Sequence, residues 1–350
     1  MLRNSRLFFP GLLLLLILML IIATAFGAVD IRVNEMWNSI RHFVSGQQPS
    51  NIYEAVFLQI RLPRVLLCAV TGAILSASGV LMQGLFRNPI VEPGLIGTSA
   101  GAAFGASVIF VLAAGIPSAL KTLMGPLLVP LFAFAGGLLA TWLVYSLAKN
   151  AGRISIMSLL LIGIAVNAIG LSGTGFMSYI ARDPQARSIT FWNLGTFSGA
   201  NWMQVGIISL VAGIIFIISI RYSKQLNALL LGEDEAGYLG VDTNKLKRRI
   251  MFLNTTMVSV ATAFVGVISF MGLIVPHVLR LLIGSDNKKL LPASMILGAI
   301  LLTLADMGAR LLLAPAEIPI GIITSLVGAP IFILLLKKFN VLQQKGGGDA

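Results

Sequence analysis

The sequence predicts an all-α polytopic membrane protein with about ten transmembrane helices, on three observations. Of its 350 residues, 57% are hydrophobic and only 11% charged, against about 25% charged in an ordinary globular domain. The mean hydropathy is +0.93. The apolar residues are gathered into blocks separated by short polar or Pro/Gly interruptions, and most approach the roughly 20 residues that cross a bilayer as a helix. Helices satisfy their own backbone polar groups in lipid, which makes them the economical reading of such blocks.

The first block, 7–29, follows Arg3 and Arg6 and has small residues near its end, so it shares features with a secretion signal. Its length is that of a full span, and a retained helix is expected. The next blocks are 61–85, 95–114, 126–148 and 155–180, each closed by polar residues or by proline and glycine. After 202–220 comes the charged stretch RYSKQLNALLLGEDEAGYLGVDTNKLKRR from Arg221 to Arg249, and then 247–269, 272–284, 290–312 and 320–337. The block at 272–284 is short and nearly continuous with the one before it. The second to fifth and the seventh to tenth blocks enter from opposite sides, which permits an inverted repeat. The chain reads as one domain, 1–350, with a Gly-rich flexible tail expected over 339–350.

A net charge of +12 in a soluble chain would suggest nucleic acid, but no nucleic-acid motif accompanies it. The bilayer is the expected partner instead, and the basic residues set orientation. With both termini cytoplasmic, the outer side holds Arg32, Arg41, Arg61, Arg64, Lys121, Arg182, Arg187 and Arg310, leaving 17 of the 25 Lys and Arg inside. The stretch 221–249 is then a cytoplasmic island between embedded halves. Its segment LGEDEAGYLGV sets Leu231, Ala236, Leu239 and Val241 among the acids Glu233, Asp234 and Glu235, a short amphipathic helical pattern. Two readings stay open at this point: a solvated loop, or a docking surface for a soluble partner.

Ion-coupled transporters keep carboxylates or histidines inside the bilayer. Here Asp306 sits near the outer end of its span, Glu92 and Asp286 fall in cytoplasmic turns, and Glu317 in an outer loop. The two histidines, His42 and His277, are far apart in sequence, and the single cysteine, Cys68, lies in an apolar block. No metal-ligand set or cofactor motif is legible. No GxxxxGK[ST] loop occurs, so the chain is not expected to hydrolyse nucleotide, and an ATP-driven process would need a separate ATPase on the island. A secondary transporter or a membrane-bound enzyme are the competing classes, and both want ionisable groups that the spans lack.

The motifs RLPR (61–64), GVLMQGLFRNPIVEPGLIGTSAGA (79–102), GVISFMGLIVPHVLR (266–280), ADMGAR (305–310) and PIGIITSLVGAPIFILLL (319–336) occur in this order. Together they resemble the FecCD-type permeases of ABC importers for iron-siderophores, haem and cobalamin. The resemblance covers nearly the whole chain. It implies a type II ABC importer permease fold in the bacterial inner membrane, a second permease copy, a cytoplasmic ABC ATPase dimer and a periplasmic substrate-binding protein. It also implies that LGEDEAGYLGV, within a coupling segment 221–246, meets the ATPase through Glu233, Ala236, Leu239 and Gly240. Arg61, Arg64 and Arg310 match outer-face arginines that receive acidic groups of the binding protein, with headgroup contact as the plainer alternative. Asn88, Pro89 and Ile90 match a loop at the cytoplasmic constriction and are expected to gate the path; a helix-ending turn is the alternative. His277 belongs to a family motif shared by members with unlike substrates, so a structural role is expected for it.

The segment RDPQARSITFWNLGTFSGANW (182–202) is most similar to haem-type members, although Phe197 and Ser198 stand where those are glycine-rich. Haem is therefore expected ahead of a siderophore, with cobalamin third. Phe191, Trp192 and Trp202 also fit an interfacial aromatic belt.

Overall fold

The structure is a computed structural model that describes residues 7–27, 31–45, 49, 51–112, 115, 124–150 and 153–346. The assignments of Arg3, Arg6, Lys121 and the tail 347–350 lie outside the described residues. Each predicted block contains a helix: α1 (Phe8–Ala25), α4 (Leu62–Leu85), α5 (Thr98–Leu112), α6 (Leu128–Ala148), α7 (Ile156–Ile180), α9 (Trp202–Leu229), α11 (Thr243–Val265), α12 (Met271–Ile283), α13 (Asn287–Leu311) and α14 (Ile320–Gly346). Among the described residues, four shorter α-helices connect or flank them: α2 (Val33–Val44), α3 (Ile52–Val56), α8 (Asp183–Asn193) and α10 (Glu233–Tyr238). Two residue pairs, β1 (Lys149–Asn150) and β2 (Arg153–Ile154), form a small antiparallel bridge.

Three boundaries differ from those read in the sequence. α9 runs on to Leu229, because the polar residues after Ile220 continue as helix once they leave the apolar block. α14 likewise continues through Phe339 to Gly346, where a flexible tail was expected. The weak boundary between the seventh and eighth blocks is a true break: Gly266 (φ 77°) and Phe270 (φ 68°) take left-handed conformations that end α11 and start α12.

The core is built around α4, which packs against α9, α11, α12 and α13. Small residues permit this. A Cβ on Gly72 would strike the Gly298 carbonyl of α13, and one on Gly79 would strike the Gly272 carbonyl of α12. Close backbone approach through small residues is the usual means of packing helices in lipid, where apolar burial gives little preference for protein over solvent. α5 packs against α6 and α7, α6 against α11, and α1 against α13. Outward-facing apolar residues such as Leu139, Ile164, Leu171 and Leu210, 58–72% exposed, form the surface expected to meet lipid.

Candidate functional site

α4 runs between two polar ends of the bundle. At its start, the π-helical turn Phe57–Arg61 leads into Leu62 and brings Arg61 and Arg64 beside the ends of α1 and α13. Arg61 is 5% exposed and its Nη1 donates to the carbonyls of Thr24 (3.0 Å) and Ala25 (2.7 Å) at the end of α1. Those carbonyls are left unsatisfied by the helix itself, and its dipole favours a cation there. Arg310 closes the same helix end, donating from Nη2 to Ala23 (3.0 Å) and from Nη1 to Phe26 (3.3 Å).

Arg64 lies between two carboxylates. Its Nη2 is 2.9 Å from Asp306 Oδ1 and its Nη1 is 2.7 Å from Glu317 Oε1. Arg310 Nε approaches Asp306 Oδ2 to 3.1 Å, near enough for charge pairing but not aligned as a hydrogen bond. Asp306 is 1% exposed, so the two guanidinium groups compensate a buried charge that would otherwise be expensive. The structure brings Arg61, Arg64 and Arg310 together, and each uses guanidinium donors within the chain. Asp306 and Glu317, noted in the sequence only as charges near an outer end, are the residues that reasoning missed; no spacing in the sequence links positions 64, 306 and 317. Beside the cluster is a cavity of about 380 Å³ walled by Arg64, Phe191, Phe197, Ser198, Glu317 and Pro319. Phe197 and Ser198, singled out in the sequence, thus border the ion-pair cluster.

At the far end of α4, Arg87 takes a left-handed φ of 50° and the chain turns. Asn88 Oδ1 accepts the Ile90 N–H at 3.0 Å, a local bond that competes with helix and favours a turn. Asn88 and Ile90 are exposed, and Pro89 is half-buried between them. The turn leads to Glu92, whose Oε1 accepts the Phe270 N–H at 3.1 Å. Burial raises the Glu92 carboxyl above its ordinary pKa, and the Phe270 hydrogen bond opposes that rise. The following turn, Pro93–Ile96, is held by Asn167 Nδ2 donating to the carbonyls of Gly94 (3.3 Å) and Leu95 (3.0 Å). α7 and the start of α12 therefore hold a segment whose regular structure is a single 3-10 turn.

α10 lies at this same end, since Gly84 of α4 faces Leu226 near the end of α9. α10 is short, with Glu233, Asp234 and Glu235 in its first turn, where the dipole favours acids. Ala236 is completely buried, whereas Leu231, Tyr238 and Leu239 are 68%, 90% and 64% exposed. Gly240 ends the turn at φ 81°, a conformation that glycine adopts without strain. Lys247 Nζ, on the adjoining α11, pairs with Glu233 Oε2 at 2.6 Å and donates to the Ile154 carbonyl at 2.9 Å. Asp242 caps α11 by accepting the Lys245 N–H at 2.9 Å, and this bond holds its carboxyl below the ordinary range.

Of the four residues expected to touch a partner on this segment, Ala236 is buried, Glu233 pairs with Lys247, and Leu239 and Gly240 are exposed with Tyr238 beside them. Lys247 was legible only as one charge in a basic run. His42 lies 3.1 Å from Glu54.

Comparison with known proteins agrees with this architecture. The model of the FecCD transport family matches residues 14–338. The hemin transport system permease protein HmuU of Yersinia pestis is 38% identical over 96% of both chains. The vitamin B12 import system permease protein BtuC of Vibrio parahaemolyticus is 36% identical over 92% of this chain and 93% of its own. The iron(3+)-hydroxamate import system permease protein FhuB of Bacillus subtilis is 34% identical over 93% of this chain and 82% of its own. Among solved structures, an inward-facing conformation of a metal-chelate type ABC transporter superposes with a TM-score of 0.81 at 32% identity, covering 94% of this chain and 98% of that one.

Proposed function

Because the chain belongs to the FecCD transport family, and is therefore a transport subunit and not an enzyme, we propose that it moves haem, or failing that another iron chelate, into the cell by alternating access. In this reading two copies of the chain enclose the path, a separate ABC ATPase dimer drives them from the α10 side, and a periplasmic binding protein delivers substrate at the Arg64 end. The chain is then a multi-pass protein of the bacterial inner membrane with both termini in the cytoplasm.

The observation that carries the proposal is the build of α10. Its exposed end, Tyr238 and the capping Leu239, is aromatic and apolar beside the exposed acids Asp234 and Glu235, while its root is bonded to α11 through Glu233 and Lys247. A partner gripping Tyr238, Leu239 and Gly240 would displace α11 as a body, because packed elements transmit rigid shifts without side-chain chemistry. Asn88, Pro89 and Ile90 lie at the same end, where such a shift would open or close the path. At the opposite end, the bonds of Arg61 and Arg310 to the end of α1 and the pairing of Arg64 and Arg310 with Asp306 favour a role in holding α1, α4 and α13 as a receiving platform for the binding protein.

Haem leads because segment 182–202 resembles haem-type permeases and its residues Phe191, Phe197 and Ser198 border the Arg64 cavity. Relatives that handle vitamin B12 and ferric hydroxamate are nearly as similar, so substrate is decided by transport. Proteoliposomes holding the complete complex are given haem, a ferric hydroxamate or cobalamin, each on its own binding protein. ATP-dependent accumulation of haem alone is the expected result. Accumulation of cobalamin or hydroxamate without haem would replace the substrate while leaving the importer reading in place.

A further inference from the structure

The seam between α6 and α11 holds a cavity of about 270 Å³ that neither polar end of the bundle uses. Leu138, Trp142, Tyr145, Met251 and Phe252 line it, with Arg248 at one end. Two threonines also reach the wall, but their hydroxyls are bonded elsewhere, Thr141 to Thr98 at 2.8 Å and Thr255 to the Met251 carbonyl at 2.7 Å. The groove therefore presents hydrocarbon. Its axis follows from the register of the two helices. Tyr145 is one turn from the end of α6, and Arg248 is in the second turn of α11. Both mark the α10 end, while Leu138 and Thr255 lie two turns deeper. Trp142 and Phe252 are 64% and 66% exposed along the outer lip.

The charge at the mouth is unbalanced. Lys245 pairs with Asp242 at 3.0 Å, Lys247 pairs with Glu233, and Arg249 lies over the Tyr222 ring at 5.7 Å. Among the described residues Arg248 makes no close ion pair; the carboxylate that feels its charge is Asp242, which pairs with Lys245. A cation at the water boundary of an apolar groove, with Tyr145 beside it and an aromatic lip below, fits an occupant with an anionic head and a hydrocarbon tail.

We propose that the α6–α11 seam binds an anionic phospholipid from the leaflet on the α10 side, its phosphate on Arg248 and an acyl chain along Trp142 and Phe252. This rests on the membrane placement given under the proposed function, but not on the substrate or on the ATPase. A zwitterionic lipid offers the same tail without net charge, so Arg248 is what discriminates. The site adjoins the root of α10, because Arg248 follows Lys247 directly. An occupied groove would steady the first turns of α11 against which a coupling displacement acts.

The full chain in detergent is titrated with phosphatidylglycerol or phosphatidylcholine carrying brominated acyl chains, and the quenching of Trp142 is taken as the difference between the native chain and Trp142→Phe. Half-quenching is expected at about five-fold lower mole fraction of the phosphatidylglycerol, the advantage of one cation for one anionic headgroup. Arg248→Lys should keep that preference and Arg248→Gln should lose it. Equal mole fractions for the two lipids, or a preference that survives Arg248→Gln, would overturn the proposal. So would the absence of any Trp142-dependent quenching, which would mean that protein covers the groove. None of these outcomes bears on transport, so a failed lipid site and a failed importer reading stay distinguishable.

Discussion

Lys247 holds an ammonium where 2% of the residue meets solvent, and both of its partners belong to elements that would otherwise hang loosely on the α10 side. Replacing it with methionine keeps the stem and removes the tie to Glu233 and to the Ile154 carbonyl. Glu233 is 35% exposed at its side chain and can rehydrate, so the expected cost is that of the lost hydrogen bonds, about 1–2 kcal/mol. The effect should be local: amide exchange at Ala236, Leu239 and Val241 quickens, while the amides of α4 keep their protection. Glu92 gives a second prediction at this scale. Its folded pKa is raised by burial, so the folded chain binds the proton more tightly than the unfolded one. Its contribution is most favourable below the unfolded carboxylate range and is lost as pH rises towards the folded pKa. Glu92→Gln retains an acceptor for the Phe270 N–H and removes that dependence. Thermal unfolding in detergent should show the variant gaining on the native chain as pH rises from about 4 to 8.

At the scale of elements, α4 depends on what it lacks. Gly72→Ala puts a methyl group against the Gly298 carbonyl, and separating two helix backbones to admit it should cost about 1–3 kcal/mol. Adding the same methyl at Gly206, which has open space around it, should leave the unfolding temperature almost unchanged. The Arg64 end makes a sharper prediction. Arg64→Met leaves Asp306 buried with the imperfectly aligned Arg310 as its remaining ion-pair partner, for an expected loss of about 3–5 kcal/mol. Arg64→Met with Asp306→Leu should recover much of it, and a double-mutant cycle in thermal unfolding checks the coupling. These elements show how far sequence reading reaches. The helices were legible because lipid imposes a simple rule on composition and length, and Ala236 was singled out because the LGEDEAGYLGV pattern is amphipathic. Which way Ala236 faces was not legible, since a six-residue helix turns too little to define its buried side without its neighbours. The partners of Arg64 and Lys247 were hidden for another reason: they lie on elements hundreds of residues away or across a turn, and one-dimensional charge patterns carry no record of such pairing.

For the molecule as a whole, the described residues place a polar platform at the Arg64 end and an exposed, firmly rooted helix at the α10 end, with a tightly packed α4 between them. An element packed in this way moves as a unit, so a pull on α10 should reach the Asn88–Ile90 turn through α11 and the Glu92–Phe270 bond. Gly240→Pro tests the grip, because proline holds φ near −65° where Gly240 has +81°. Uptake should fall by more than ten-fold while ATP hydrolysis by the assembled complex persists. The most direct test of the central claim is substrate uptake into proteoliposomes containing this chain with and without its ABC ATPase, at fixed proton gradient. Accumulation that appears only with both the ATPase and ATP is the predicted result. Accumulation driven by the proton gradient in vesicles holding this chain alone would contradict it.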